Sequence, residues 1–429
     1  MLACMKPVLL FALAPLLLAA APEDRSTAGD AVIKARVERV LKANPVIDGH
    51  NDWAETLVGK AGDARWTMDL TRLDPAKYHT DITRLRAGHV GGQFWSVWVD
   101  AKLPGPEQVE QTLEQIGLMH DIFRRYPNVF EPAVTAADVR RIQAQGRIAS
   151  MLGVEGGGQI DGQFTVLRAY RALGASYLTL THSRTISWAD SATDDPQHGG
   201  LTKFGEAVVR ELNRLGMLVD LSHVSEGTML DALRVTKAPV IFSHSGARAV
   251  NDHPRNVSDA VLKQVAANKG VVMVDYAPSY VSDARRRWEA ARNGEIASYN
   301  KPPFGGLYIG QPDRAKAALA EWEKAHPKPA VTLSEVADHI DHVAKVAGHD
   351  AVGIGSDFDG VEEVPQGLSG VETYPALFAE LARRGWSDVD LAKLARGNVL
   401  RVMEGAERVA AAMKGEAPTT ATVAGLDGK

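Results

Sequence analysis

The stretch Pro45-Val46-Ile47-Asp48-Gly49-His50-Asn51-Asp52 is the first of several short β-rich runs along the chain. Its β-branched pair Val46-Ile47 runs into His50 and Asp52, which are two residues apart. In an extended chain, side chains at i and i+2 leave the same face, so an imidazole and a carboxylate project together from the strand end. Such a pair can hold one face of a divalent cation. Alone it decides nothing, because His-x-Asp is common. Its weight comes from what recurs downstream.

Seven more short β-rich runs follow: Gln93–Val99, Ile148–Val154, Tyr177–Leu180, Leu218–Leu221, Val240–Phe242, Val271–Val274 and Val352–Ile354. Between them the spacing predicts helices over Pro106–Arg125, Thr135–Gln145, Gln163–Leu173, Lys203–Leu215, Ser225–Val235, Ser258–Ala267 and Thr332–Ala347. The last opens on Thr332-x-x-Glu335, a capping-box pattern, with Val336, Ile340, Val343 and Ala347 at helical spacing. A helix over Ala31–Ala43 precedes the first strand, and a pair over Asp388–Arg396 and Val399–Ala411 follows the last. Strands almost free of polar residues, alternating with helices, indicate a parallel sheet covered on both faces. Eight such units predict an α/β fold, a closed (β/α)8 TIM-type barrel, with a doubly wound open sheet as the competing arrangement. Gly59–Gly88 and Ala277–Pro329 exceed what the barrel needs and are expected as insertions after its first and seventh strands.

The ends of the chain read differently. Lys6 is followed by an apolar run from Pro7 to Leu18 and then by Ala19-Ala20-Ala21, the pattern of a secretory signal peptide over residues 1–21. The apolar run is shorter than the roughly 20 residues a retained anchor needs. Residues 22–412 are expected to form one (β/α)8 domain, and 413–429 a polar, flexible tail. The only cysteine, Cys4, lies ahead of the apolar run, so the mature chain has neither a disulfide nor a thiolate ligand. A core must stabilise it, and this length permits one. The net charge of −5 and the absence of a Lys/Arg run argue against a nucleic-acid partner.

The chemistry collects at the strand ends. After His50 and Asp52 come Glu155, His182, His223, His244 and Asp357, each at the C-terminal end of a β-run, where barrel enzymes carry their active sites. Together they make a nitrogen and oxygen ligand set suited to zinc or a similar divalent ion. Other motifs carry less. Gly156-Gly157-Gly158 lacks the lysine and hydroxyl of a phosphate loop, and Asp357-x-Asp359-Gly360 is too short for a calcium loop. Asp338-His339 and Asp341-His342 are expected on the solvated face of their helix.

The segments Val46–Asp52, Gly153–Gly157, Tyr177–His182, Asp220–Ser225, Pro239–Ser245, Arg255-Asn256-Val257 and Gly355–Gly360 occur in an order that resembles the membrane (renal) dipeptidase family of zinc peptidases, over about residues 44–405. That resemblance implies two Zn²⁺ per chain. His50, Asp52 and Glu155 would hold one, and Glu155, His223 and His244 the other, with Glu155 as the bridge and a shared hydroxide as nucleophile. It implies that His182 binds substrate and steadies the oxyanion, and that Asp357 contacts substrate and carries the proton to the leaving amine. Arg255 would hold the C-terminal carboxylate of a dipeptide. It further implies a homodimer and dipeptide substrates, including those with a C-terminal D-residue. The missing cysteines and anchor signal suit an exported bacterial member, periplasmic or secreted. An amidohydrolase or lactonase acting on a non-peptide substrate with the same metals is the alternative, as is a non-catalytic metal-binding barrel.

Overall fold

A computed structural model of the chain describes residues 22–301, 303 and 305–428. The expected signal peptide, residues 1–21, lies outside them. Nine strands form one parallel sheet: β1 (Val46–Asn51), β2 (Val90–Trp98), β3 (Phe130–Pro132), β4 (Ile148–Glu155), β5 (Ala175–Thr179), β6 (Leu218–Asp220), β7 (Ile241–Phe242), β8 (Val271–Val274) and β9 (Val352–Ile354). Their order is β2-β1-β9-β8-β7-β6-β5-β4-β3, and a further pairing of β2 with β4 closes eight of them into a ring. The expected (β/α)8 barrel is therefore the fold. The extra strand, β3, pairs with the first residues of β4, Phe130 opposite Ile148, before β5 joins β4 from Leu152 onward. Three residues carrying Glu131 and Pro132 have no alternation to reveal them in advance.

The barrel is filled, and helices close its lower end. One cluster of buried side chains joins Ile47, Phe94, Met151, Tyr177, Ile241 and Met273 from the strands to Val399, Val402 and Met403 of the helix Asn398–Ala412. A second cluster packs the outer helices on the strands. Close approach inside the ring demands glycine. A Cβ on Gly49 would stand 2.5 Å from the Ser243 carbonyl oxygen, and one on Gly355 2.0 Å from the same atom.

The helices start where side-chain caps predict. Thr202, Ser225, Ser258 and Thr332 each accept a hydrogen bond from a backbone N–H of the following turn, and Thr332 with Glu335 forms the expected capping box. The first helix runs Pro22–Ala43, longer than the expected Ala31–Ala43. The segment after β8 contains the helices Asp283–Tyr299 and Pro312–Ala325, braced by Trp288 and Trp322 at 6.0 Å between rings. A third extended segment, 181–202 after β5, has no helical periodicity, and beyond His182 at its start the sequence carries no expectation for it.

Two expectations need correction. The C-terminal tail is not simply frayed: Val423–Asp427 is helical, and Asp427 accepts hydrogen bonds from Thr202 Oγ1 (2.7 Å) and the Phe204 N–H (3.1 Å). His339 does not lie on a solvated helix face but is fully buried. Its Nδ1 accepts from the Ala247 N–H and its Nε2 donates to the Val281 carbonyl, each at 2.9 Å, so the ring ties two loops to the helix. Asp338 and Asp341 do face outward, paired with Arg384. Among the described residues no helix is long and apolar enough to cross a membrane.

Candidate active site

All seven strand-end residues expected in the site meet at the top of the barrel. His50 Nε2 lies 3.1 Å from Asp52 Oδ2 and 3.3 Å from Glu155 Oε2. On the other oxygen of the same carboxylate, Glu155 Oε1 lies 3.1 Å from His223 Nε2 and 3.4 Å from His244 Nε2. Those two imidazole nitrogens are 2.9 Å apart. Ligands on one tetrahedral zinc with bonds of about 2.0–2.1 Å stand about 3.3–3.4 Å from each other, so these spacings suit donors aimed at a common ion. His182 Nε2 stands 3.9 Å from Glu155 Oε1, and Asp357 Oδ1 4.0 Å from His50 Nε2.

Convergence of His50 and Asp52 has a different local cause from the expected pleat. β1 ends at Asn51 with its register already broken, and Asp52 starts the helix Trp53–Thr56 at φ −91°, ψ 30°. The chain turns to bring the carboxylate back over the imidazole. Two neighbours adopt left-handed backbone: His223 at φ 67° and Asp357 at φ 60°. Non-glycine residues take this conformation at a cost, and it concentrates at functional sites. Gly360 makes room for the acids, since a Cβ there would lie 2.2 Å from Asp52 Oδ2 and 2.4 Å from Asp357 Oδ1.

The imidazoles are held from behind by residues that no sequence spacing indicated. His50 Nδ1 meets Tyr177 Oη at 2.9 Å, and that ring fits only because residue 153 is glycine, where a Cβ would be 2.0 Å from it. His244 Nδ1 meets Ser243 Oγ at 2.8 Å, and Ser243 Oγ donates to Asp220 Oδ2 at 2.6 Å. A hydrogen bond at Nδ1 fixes the ring orientation and leaves Nε2 for a ligand role. His50 Nε2 is buried without a hydrogen-bond partner, an orphaned donor-acceptor aimed into the cluster. Glu155 is steadied by Ser96 Oγ, which donates to Oε2 at 3.0 Å, and by Gln159 Nε2, which donates to its carbonyl at 2.5 Å. Asp48, in β1, accepts from Ser356 N–H, Ser356 Oγ and Tyr374 Oη at 2.7–2.8 Å and ties β1 to the end of β9.

Electrostatics separate the groups. Burial pushes the pKa of His223 and His244 well down, and the Arg255 guanidinium adds to this, so both are neutral, as a metal ligand must be. His182 is lowered too, chiefly by burial. For Glu155 burial acts upward, yet the surrounding His50, His223 and His182 hold its carboxyl well below the usual range. Asp357 goes the other way: burial, then Asp275 and Asp52, push it well up. At His50 burial acts downward, yet Tyr177, Glu155 and Asp52 hold the imidazole well up, so a cation there has to displace its proton; the donor types of the set fit divalent cations. Four triads of His, Asp and Glu here have ligand atoms within 4.8 Å of one another, and Glu155 belongs to two of them.

A cavity of about 270 Å³ opens over the cluster, lined by Asp52, Glu155, His182, His223, His244 and Asp357 together with Glu55, Trp98, Tyr280 and Val361. Trp98 meets the His182 ring edge-on at 5.3 Å. Arg255 stands apart from the other expected residues. It is 1% exposed, does not line the cavity, and donates to Ser245 Oγ and the His244 carbonyl. Its guanidinium packs against lining residue Tyr280, 5.2 Å from the ring centroid.

Known proteins resemble this chain over most of its length. Residues 34–417 match the model of the membrane dipeptidase family, peptidase family M19. A dipeptidase of Aspergillus oryzae, aclJ, is 38% identical over 394 residues, covering 90% of this chain and 83% of that one. Among solved structures, the probable dipeptidase PvdM of Pseudomonas aeruginosa superposes with a TM-score of 0.75 at 24% identity, over 88% of this chain and 99% of that one, a likeness of fold. A metallopeptidase of Rhodobacter sphaeroides, liganded with a phosphinate mimic of the dipeptide L-Ala-D-Ala, gives 0.67 at 25% identity, over 85% and 99%. The chain belongs to the membrane dipeptidase family and is by that membership a metal-dependent dipeptidase.

Proposed function

We propose that the chain is a dinuclear zinc dipeptidase in which Glu155 is the shared ligand. The observation that carries this reading is the division of one carboxylate between two donor sets, Oε2 toward His50 and Oε1 toward His223 and His244. His50, Asp52 and Glu155 would hold one ion, and Glu155, His223 and His244 the other. When bound, two such cations supply a hydroxide nucleophile near neutral pH and draw charge from the scissile carbonyl.

The remaining steps fall to the chain's own residues. A neutral His182 at the cavity wall has an N–H to offer the oxygen that gains charge. Asp357, raised by burial and by neighbouring acids, is suited to hold a proton and pass it to the departing amine. Arg255 is a buried cation whose Nε has no hydrogen-bond partner, packed against Tyr280. It would draw the substrate's C-terminal carboxylate to that wall and so limit length to two residues. A cavity of about 270 Å³, below the usual range for drug-sized ligands, agrees with a small substrate. D-residues at the C-terminal position, homodimer formation and export to the periplasm or medium belong to the same proposal.

The test is metal analysis coupled to activity. Zinc-loaded protein is expected to hold two ions per chain and to hydrolyse a panel of L,L and L,D dipeptides, while Glu155→Ala disrupts both ion sites together. Protein inert toward the whole panel would refute the reading, as would a Glu155→Ala variant that keeps one ion bound and full activity.

A further inference from the structure

The cavity is lined by four carboxylates, and three of them have work at the metal cluster. Asp52, Glu155 and Asp357 all belong to the donor triads; Glu55 belongs to none. Among the described residues no lysine or arginine lines the cavity to balance it. The nearest basic chain along the sequence, Lys60, is spent elsewhere, its Nζ donating to the Lys77 carbonyl at 2.8 Å. Burial and then Asp52 push the Glu55 carboxyl up, and Lys60 offsets only part of this.

Its place gives the missing cation an address. Glu55 sits in the helix Trp53–Thr56, three residues after Asp52. Residues so spaced are neighbours with Cβ atoms about 5–6 Å apart, so Glu55 borders the His50–Asp52 half of the site without joining it. Arg255 bonds the His244 carbonyl and packs on Tyr280, in the other half. This step rests on the dipeptidase reading above. With the C-terminal carboxylate at Tyr280 and Arg255 and the scissile carbonyl over Glu155, the N-terminal residue is directed toward Asp52 and Glu55. Its α-ammonium is two bonds from the carbonyl carbon and must stay beside it, near Asp357. A long side chain goes further, along Trp98 and Val361, which offer apolar surface to a methylene stem.

We propose that Glu55 selects dipeptides whose N-terminal residue carries a cationic side chain, lysine or arginine, by pairing its carboxylate with that ammonium or guanidinium. The experiment uses the zinc-loaded full-length enzyme and compares kcat/KM for Lys-Ala, Arg-Ala, Glu-Ala and norleucyl-alanine, the last matching lysine in length without its charge. Lys-Ala is expected to exceed norleucyl-alanine by about tenfold, the size of one charge-assisted pair at a partly solvated site, with Glu-Ala lowest. Glu55→Gln, nearly isosteric, should bring the lysine-to-norleucine ratio to about one, and Glu55→Lys should place Glu-Ala above Lys-Ala. A wild-type ratio near one, or a ratio that survives Glu55→Gln, would overturn the proposal. So would an equal fall for all four substrates, which would assign Glu55 to the α-ammonium they share. Hydrolysis without charge preference defeats this inference alone, whereas no hydrolysis of any dipeptide defeats the dipeptidase reading beneath it.

Discussion

Replacing Ser243 by alanine should weaken the binding of one ion while leaving every direct ligand in place. His244 can present Nε2 as a lone pair only if its proton sits on Nδ1, and Nδ1 is 2.8 Å from Ser243 Oγ. That oxygen is also 2.6 Å from Asp220 Oδ2. An ionised carboxylate only accepts, so the hydroxyl proton points to Asp220 and the Ser243 lone pair faces the imidazole N–H. The chain Asp220–Ser243–His244 therefore sets the tautomer. Burial drives the Asp220 carboxyl up, and the hydrogen bonds from Ser243 and Thr179 pull it back. Ser243→Ala removes a hydrogen bond to a buried charged group, about 1.5–3 kcal/mol, and leaves the His244 Nδ1–H without an acceptor. Loss of such an outer partner costs about 10–100-fold in metal affinity. The assay is a zinc titration against a chromophoric chelator, with apo-protein melting as the control for stability. The expected result is one site weakened by at least tenfold and the other little changed. Two sites within twofold of the wild type, with only the melting temperature lowered, would show that Ser243 supports the fold and not the ligand.

Other outcomes follow from the same geometry. Gly360 is exposed, yet a Cβ there would crowd Asp52 Oδ2 and Asp357 Oδ1 at 2.2 and 2.4 Å, so Gly360→Ala should lower kcat/KM by at least about tenfold with little change in melting temperature. Arg255→Ala should raise KM for dipeptides strongly, measured by steady-state kinetics; an unchanged KM would favour a non-peptide substrate. His339 is buried with its Nδ1 accepting a backbone N–H, and burial chiefly lowers its pKa to about 4. The unfolded chain, with an ordinary pKa of 6.5, takes up that proton first. Stability is therefore complete above pH 6.5 and is lost as the pH falls toward 4, by at most about 3 kcal/mol. Denaturant titrations of apo-protein between pH 7 and 4 should show this slope, and His339→Gln should flatten it.

The barrel was legible because its eight strands are nearly pure apolar runs that end in a change of residue type. That change also exposed His50, Glu155, His223 and His244 as a set. What stayed hidden depends on tertiary approach. Asp220 and Ser243 are 23 residues apart and meet because β6 and β7 are neighbours. Tyr177 reaches His50 across the barrel only through the space left at Gly153. His339 stands at helical spacing from Val336 and Val343, on the stripe that is buried, but its residue type argued for solvent, and the loops around Ala247 and Val281 that supply its hydrogen-bond partners are remote in sequence. Arg255 shows the limit from the other side. The family resemblance implies a residue open to substrate, whereas it is buried beside Tyr280 and acts on the site partly through charge, helping to keep His223 and His244 neutral.

Whether one carboxylate joins two ions is decided by crystals of the zinc-loaded enzyme. An anomalous difference map at the zinc edge should show two peaks flanking the Glu155 carboxylate, one by His50 and Asp52 and one by His223 and His244. A single peak, or two peaks of which Glu155 touches only one, would contradict a bridging Glu155.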